Sequence, residues 1–199
     1  MFDWCNTIVK VGKADLGILR RVLHAMGAQN VELSSIPNVN ISRYLAVHLG
    51  DRSVEAMRLY ERISRQQKKR TLEINENVRE LLKFLESNNI STGIVSNKPG
   101  KHLRNEVRSL GLEKHFSVIL GAGDTPENKP SPTPIFAALD ILGVEPSKRV
   151  FFVGDSDSDI ESAKRANCLP IAFDNSSAKG VLSFSNFHDF GNFVDNLLN

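Results

Sequence analysis

The sequence predicts an α/β protein, a parallel sheet flanked by helices and interrupted near its start by a small helical insertion. Three observations carry this reading. After residue 74, short apolar runs alternate with segments of helical periodicity, the pattern of right-handed βαβ crossovers and a parallel sheet. From about residue 10 to residue 74 there is helical periodicity and no strand-like run. The run Val150-Phe151-Phe152-Val153 stops at Gly154 and then delivers Asp155, Asp157 and Asp159. A buried strand reads this way, and the carboxyl ends of such strands are where open α/β sheets hold ligands.

Taken in order, residues 1–9 read as a short strand running into a turn at Cys5-Asn6-Thr7, where Asn tolerates left-handed backbone angles. Leu16, Leu19, Leu23 and Met26 then form one face of an amphipathic helix closed by Gly27. Residues 34–40, with Pro37, read as a loop. A second apolar set from Tyr44 to Leu49 ends at Gly50, and a third helix begins near residues 51–53 with Val54, Met57, Tyr60 and Ile63 on one face. Val78, Leu81, Leu82 and Leu85 mark the next helix, ended by Asn88 and Asn89. Strand 91–95 stops at Ser96-Asn97, and a helix through Leu103, Val107 and Leu110 follows. Strand 116–120, a Pro-punctuated entry to a helix with Ile135, Phe136, Leu139 and Leu142, and the acidic strand come next. A helix through Ile160, Ala163 and Ala166, strand 169–173 and an aromatic-rich docking helix within 184–198 complete the chain.

Composition narrows the function classes. At 199 residues and a net charge of +2, the chain can bury a sizeable core and has no electrostatic case for nucleic acid. The basic residues within 62–70 have no interleaved aromatics and read as a solvated helix face. No stretch approaches a membrane span. Two cysteines make no disulfide framework, and Asp3 stands before any apolar run, so a cytoplasmic protein is expected.

Polar residues that close three strands fall at one sheet edge: Asp3, Ser96 with Asn97, and Asp155 with Asp159. Lys129 enters from the loop before the following helix. Clustered carboxylates suit a hard cation such as Mg²⁺. On the acidic loop alone, a cation site and a solvated cap of the next helix are both open.

These residues resemble the haloacid dehalogenase-like hydrolase superfamily, in particular its phosphoglycolate-phosphatase-like branch with a small helical cap. Asp3-Trp4-Cys5-Asn6-Thr7-Ile8 stands where that family writes Asp-x-Asp-Gly-Thr-Leu/Val, and Ile94-Val95-Ser96-Asn97-Lys98 matches its second motif. Lys129-Pro130-Ser131-Pro132 matches Lys-Pro-x-Pro, and Gly154-Asp155-Ser156-Asp157-Ser158-Asp159 matches Gly-Asp-Ser-x-x-Asp. The resemblance implies a Rossmann-like three-layer parallel-sheet core over residues 1–10 and 75–199, with a cap over 11–74. It implies that Asp3 is a nucleophile forming an aspartyl-phosphate. Asp3 and Asp155, with the Cys5 carbonyl, would bind Mg²⁺, and Asp159 would hold a metal-bound water or Lys129. Ser96, Asn97 and Lys129 would hold the phosphoryl group of a small phosphorylated metabolite.

One position departs from the pattern. Cys5 stands where the phosphatase branch has a second Asp, the residue that protonates the leaving alcohol and then activates water. A thiol is a weak donor and a poor replacement for a carboxylic acid. Three readings follow: a slowed phosphatase, another chemistry on the same fold, or a non-catalytic protein that binds a phosphorylated ligand or a protein partner. Phosphonate hydrolases also lack the second Asp but use a cap lysine, and no lysine lies between Lys13 and Lys68. Dehalogenases need no metal, which the Asp155/Asp159 pair argues against.

Overall fold

A computed structural model describes residues 1–10, 16–28, 41–66, 72–175 and 178–199. The loop expected at 34–40 and the basic residues Lys68, Lys69 and Arg70 lie outside them. By its contacts the chain divides into two compact units, Met1–Lys10 with Leu72–Asn199, and Val11–Thr71.

The larger unit is an α/β unit built on a parallel sheet, with a separate two-stranded antiparallel ribbon. Its strands are β1 (Val9–Lys10), β2 (Glu73–Ile74), β3 (Gly93–Pro99), β4 (Val118–Ala122), β5 (Phe151–Gly154), β6 (Leu169–Phe173) and β7 (Leu182–Phe184). β3 pairs in parallel with β4, and β5 with β6 and β6 with β7 in the same sense. Phe2 joins the two halves, bridging in parallel to Ile94 on one side and Val153 on the other. Four main-chain hydrogen bonds hold it there: Phe2 N to the Gly93 carbonyl, Val95 N to that of Phe2, Asp3 N to that of Val153, and Val153 N to that of Met1. The order is therefore β4-β3-Phe2-β5-β6-β7, and the chain switches direction of travel across the sheet beside Phe2. Ligands gather at such a switch point, beyond the carboxyl ends of the strands.

Alternation along the strands divides the core into two faces. Ile94 and Val153 pack on one face with Phe2, Trp4 and residues of α4 (Val78–Ser87), α5 (Gly100–Ser109) and α8 (Phe187–Leu198). Val95 and Phe152 pack on the other with α6 (Thr133–Leu142) and α7 (Asp157–Arg165). The three expected layers are present. On α6, however, Phe136 is 43% exposed, and Ala138 takes its place beside Ile135 and Leu139 in the core.

Two strands escape the sequence reading. Val9–Lys10 and Glu73–Ile74 form a short antiparallel ribbon at the point where the chain leaves and re-enters this unit, so residues 73–74 are not part of an all-helical stretch. Two residues are too few for periodicity to register. β7 is likewise a three-residue strand before α8. β3 runs on to Pro99 after a register irregularity beyond Val95, further than the apolar run alone suggests.

The smaller unit consists of α1 (Leu16–Ala25), α2 (Ile41–Leu49) and α3 (Ser53–Gln66) in its described residues. Ile18, Leu19, Val22, Leu23, Met26, Leu45, Leu49, Ala56 and Tyr60 are its buried set. Val54, expected on the inner face of α3, is 61% exposed, and Ala56 is buried instead.

Candidate active site

The predicted site residues of the larger unit lie near the carboxyl ends of strands, in the strands, the loops that follow or the first turn of the next helix. Asp3 follows Phe2 at the middle of the sheet and is 6% exposed. Its main-chain N–H donates to Val153, so the strand pairing itself fixes where the carboxylate begins. Ser96 lies within β3 and is also buried. Asp155 follows β5, and Asp159 lies in the first turn of α7.

Lys129 closes the cluster. Its ammonium donates to Asp3 Oδ1 at 2.7 Å, to the Val95 carbonyl at 2.8 Å and to Asp159 Oδ1 at 2.5 Å. Three acceptors satisfy its three N–H groups, as burial demands. Asp159 Oδ2 accepts from Ser156 N at 3.0 Å and Ser156 Oγ at 2.6 Å. Lys129, one of the partners expected for Asp159, is in contact with it. Asp157, three residues from the sheet on the same turn, is exposed.

Asn97 is exposed, and its side-chain amide is engaged by the Lys129 main chain. Asn97 Nδ2 donates to the Lys129 carbonyl at 2.9 Å, and Lys129 N donates to Asn97 Oδ1 at 3.0 Å. This double bond in two directions locks the Lys129 loop to the end of β3. Ser96 Oγ accepts a long bond from Lys98 N at 3.4 Å.

Carboxylate oxygens of Asp3, Asp155 and Asp159 all lie within 4.8 Å of one another. Three carboxylates with one ammonium leave an excess of negative charge in a poorly solvated place. The titration of the group shows the consequence. Burial pushes the Asp3 carboxyl above its usual range, Lys129 opposing and Asp159 adding to the rise. Burial, with the charges of Asp3 and Asp159, pushes Asp155 up to about 7. Burial works against the charge on Lys129, but Asp159 and Asp3 outweigh it and hold the ammonium above its ordinary value. A divalent cation bound by oxygen donors is what would relieve this imbalance, so the donor set fits Mg²⁺. Asp159 is occupied on both oxygens, which leaves Asp3 and Asp155 as the principal carboxylates for it. The Cys5 thiol is not among the clustered groups.

Cys5, two residues after Asp3, is half-buried. Burial first, then the Asp3 charge, pushes its thiol up to about 12. At neutral pH it keeps its proton and neither takes nor releases one.

Several contacts here are invisible in the sequence. Asn6, in the left-handed region at φ 59°, donates from Nδ2 to Asp155 Oδ2 at 3.2 Å. Asn175 Nδ2 donates to the Asp155 carbonyl at 2.9 Å. Gly154 is required by its neighbour, because a Cβ there would stand 2.5 Å from Asp159 Cβ and Cγ. Only the turn at Asn6 had a local signal. Its partner is 149 residues away.

Known proteins share this fold. The model of a haloacid dehalogenase-like hydrolase family matches residues 1–173. A solved HAD-superfamily hydrolase from Ehrlichia chaffeensis is 46% identical, over 100% of this chain and 96% of that one, with a TM-score of 0.72. A predicted phosphoglycolate phosphatase from Haemophilus somnus shares the fold at TM-score 0.76 and 24% identity, over 97% of this chain and 96% of that one. Among curated proteins, a phosphoglycolate phosphatase from Salmonella paratyphi A is 38% identical over 91 residues, 46% of this chain. That match spans 36% of the relative's own length.

Proposed function

Because the chain belongs to the haloacid dehalogenase-like hydrolase family, we propose that it is a Mg²⁺-dependent phosphatase of the cytoplasm acting on a small phosphomonoester. The observation that carries this is Asp3, a buried carboxylate held by Lys129 at 2.7 Å and grouped with Asp155 and Asp159. A structural ion pair would need one carboxylate for one lysine. Three converge here, at a sheet's switch point.

In this reading Asp3 attacks phosphorus, forming a carboxylate oxygen–phosphorus bond as the ester oxygen leaves with the bonding electrons. Water then attacks the phosphorus of the aspartyl-phosphate, releasing inorganic phosphate and returning Asp3. Lys129 holds Asp3 in place and faces the phosphoryl group with fixed charge, and Ser96 donates to its oxygens. Asn97 acts by securing the Lys129 loop. Asp3 and Asp155 would hold Mg²⁺, which would supply the positive charge that lets a carboxylate approach a phosphate dianion. The leaving oxygen draws its proton from solvent, since Cys5 offers none. Substrates whose leaving groups need little protonation are therefore favoured. Residues 11–71 serve as the cap and select the rest of the substrate.

The test is hydrolysis of p-nitrophenyl phosphate by wild type and Asp3→Asn, with and without Mg²⁺. Mg²⁺-dependent turnover that vanishes in the variant is expected, and undiminished turnover in the variant would sink the nucleophile assignment. A second reading, a protein that binds a phosphorylated ligand without turnover, is favoured by the Cys5 thiol lying up near 12. Under it, wild type binds phosphate with Mg²⁺ and hydrolyses nothing.

A further inference from the structure

Glu106 lies outside every motif considered above, on α5, yet it touches both loops of the site. Its Oε2 accepts from the Trp4 indole N–H at 2.8 Å, and its Oε1 meets Lys98 Nζ at 2.5 Å. Trp4 follows the nucleophile Asp3 directly and is fully buried. Lys98 lies two residues past Ser96, and its main-chain N–H is directed to the Ser96 hydroxyl. The side chains of Lys98 and Glu106 are each 22% exposed, so the pair is shielded enough to be stronger than a surface ion pair.

We infer that Glu106 is a positioning residue, a bridge through Trp4 and Lys98 that fixes the nucleophile's loop relative to the loop that receives the phosphoryl group. The inference rests on the phosphatase reading. The reaction needs Asp3 in line with the leaving oxygen and Ser96 beside the phosphoryl oxygens of the same phosphorus, and misplacement by about 1 Å costs on the order of 10²-fold in rate. The sheet fixes where the two loops start, at Phe2 and Val95, which are hydrogen-bonded neighbours. Past those points Glu106 joins Trp4 to Lys98, as Lys129 joins Asp3 to the Val95 carbonyl. A carboxylate is suited to this because each oxygen accepts one bond. Gln would offer one acceptor and one donor, so it would keep Trp4 or Lys98, not both. Trp4 is also the only tryptophan of the chain, so the bridge carries its own optical reporter.

The experiment compares wild type, Glu106→Gln and Lys98→Met in steady-state hydrolysis of p-nitrophenyl phosphate with Mg²⁺, and in Trp4 fluorescence titrated with inorganic phosphate and Mg²⁺. Lys98→Met spares the Trp4 bond and the helix, so it covers the case in which the Glu106 variant folds poorly. Expected are kcat values down by about 10–100-fold with KM little changed. Phosphate should also shift Trp4 emission in wild type, and the response should be lost or inverted in both variants. Unchanged kcat in Lys98→Met, or a Trp4 response identical to wild type in both variants, overturns the bridge. If wild type itself fails to hydrolyse the ester, the phosphatase reading has failed, and the Trp4 titration alone then decides whether the loops are coupled.

Discussion

Lys129 Nζ lies 2.7 Å from Asp3 Oδ1, a contact between residues 126 positions apart that joins the loop before α6 to the middle of the sheet. The same nitrogen reaches Asp159, so one ammonium serves two carboxylates that would otherwise repel each other. Lys129 is thereby a structural cation, and this role separates by experiment from the chemical one proposed for it.

Replacing Lys129 with Met leaves Asp3 and Asp159 buried without their common partner. Breaking a buried pair in this way costs about 3–5 kcal/mol. Urea unfolding of metal-free Lys129→Met should show that loss, and hydrolysis of aryl phosphates should fall to background. Saturating Mg²⁺ is expected to recover part of the stability and none of the activity.

The acidic cluster links metal binding to pH. Asp155 is raised to about 7, so the folded state holds its proton more tightly than the unfolded chain does. In metal-free protein its contribution to stability is fully present below the ordinary carboxylate range and is lost as pH rises through 7. Asp3, raised in the same direction, adds to this. Mg²⁺ must displace such protons, so its affinity should climb between pH 5.5 and 8. Thermal melts across that range, with and without Mg²⁺, should show the largest metal-induced rise in Tm at the alkaline end. A pH-independent rise would refute the linkage.

Cys5→Asp places a carboxyl group two residues from Asp3, the proposed nucleophile. An added general acid–base is worth about 10²–10⁴-fold in rate, and a gain of that order in kcat for alkyl phosphates is expected. The gain should be smaller for p-nitrophenyl phosphate, whose leaving group needs little protonation. The same variant adds a fourth carboxylate near an already crowded site, so its metal-free form should melt below wild type.

Gly154→Ala tests the close packing behind the cluster. The new Cβ would lie 2.5 Å from Asp159, which must move and carry its bond to Lys129 with it. Overpacking of this kind costs about 1–3 kcal/mol. The expected result is a lower Tm together with a fall in kcat, while a substitution on the exposed face of α7 such as Glu161→Gln should leave the packing behind Asp159 intact.

Much of the core was readable because its signals are local. The strand at 169–173 coincides with β6, and the periodic faces of α4 and α5 are the buried ones. Burial on one face imposes a period on the side chains within a few residues, and that period survives in the sequence. Where an element is too short to show a period, as in Val9–Lys10 and Leu182–Phe184, the reading failed. Val54 and Phe136 misled it, since an apolar residue can stay exposed at little cost while a small alanine fills the tight position.

The sequence by itself determined the class of the fold, the strand ends that bear Asp3, Ser96 and Asp155, and the loop that bears Lys129. Each is a matter of which residue follows which. Only the tertiary structure decided which of these residues touch. Phe2 lies between β3 and β5, Asn6 steadies Asp155, Asn97 clasps the Lys129 main chain, and Glu106 joins Trp4 to Lys98. Most of those partners are 30 to 150 positions apart, as the 32 from Asn97 to Lys129 and the 149 from Asn6 to Asp155 show. Strand order and loop paths brought them within hydrogen-bond reach, and no local period records either.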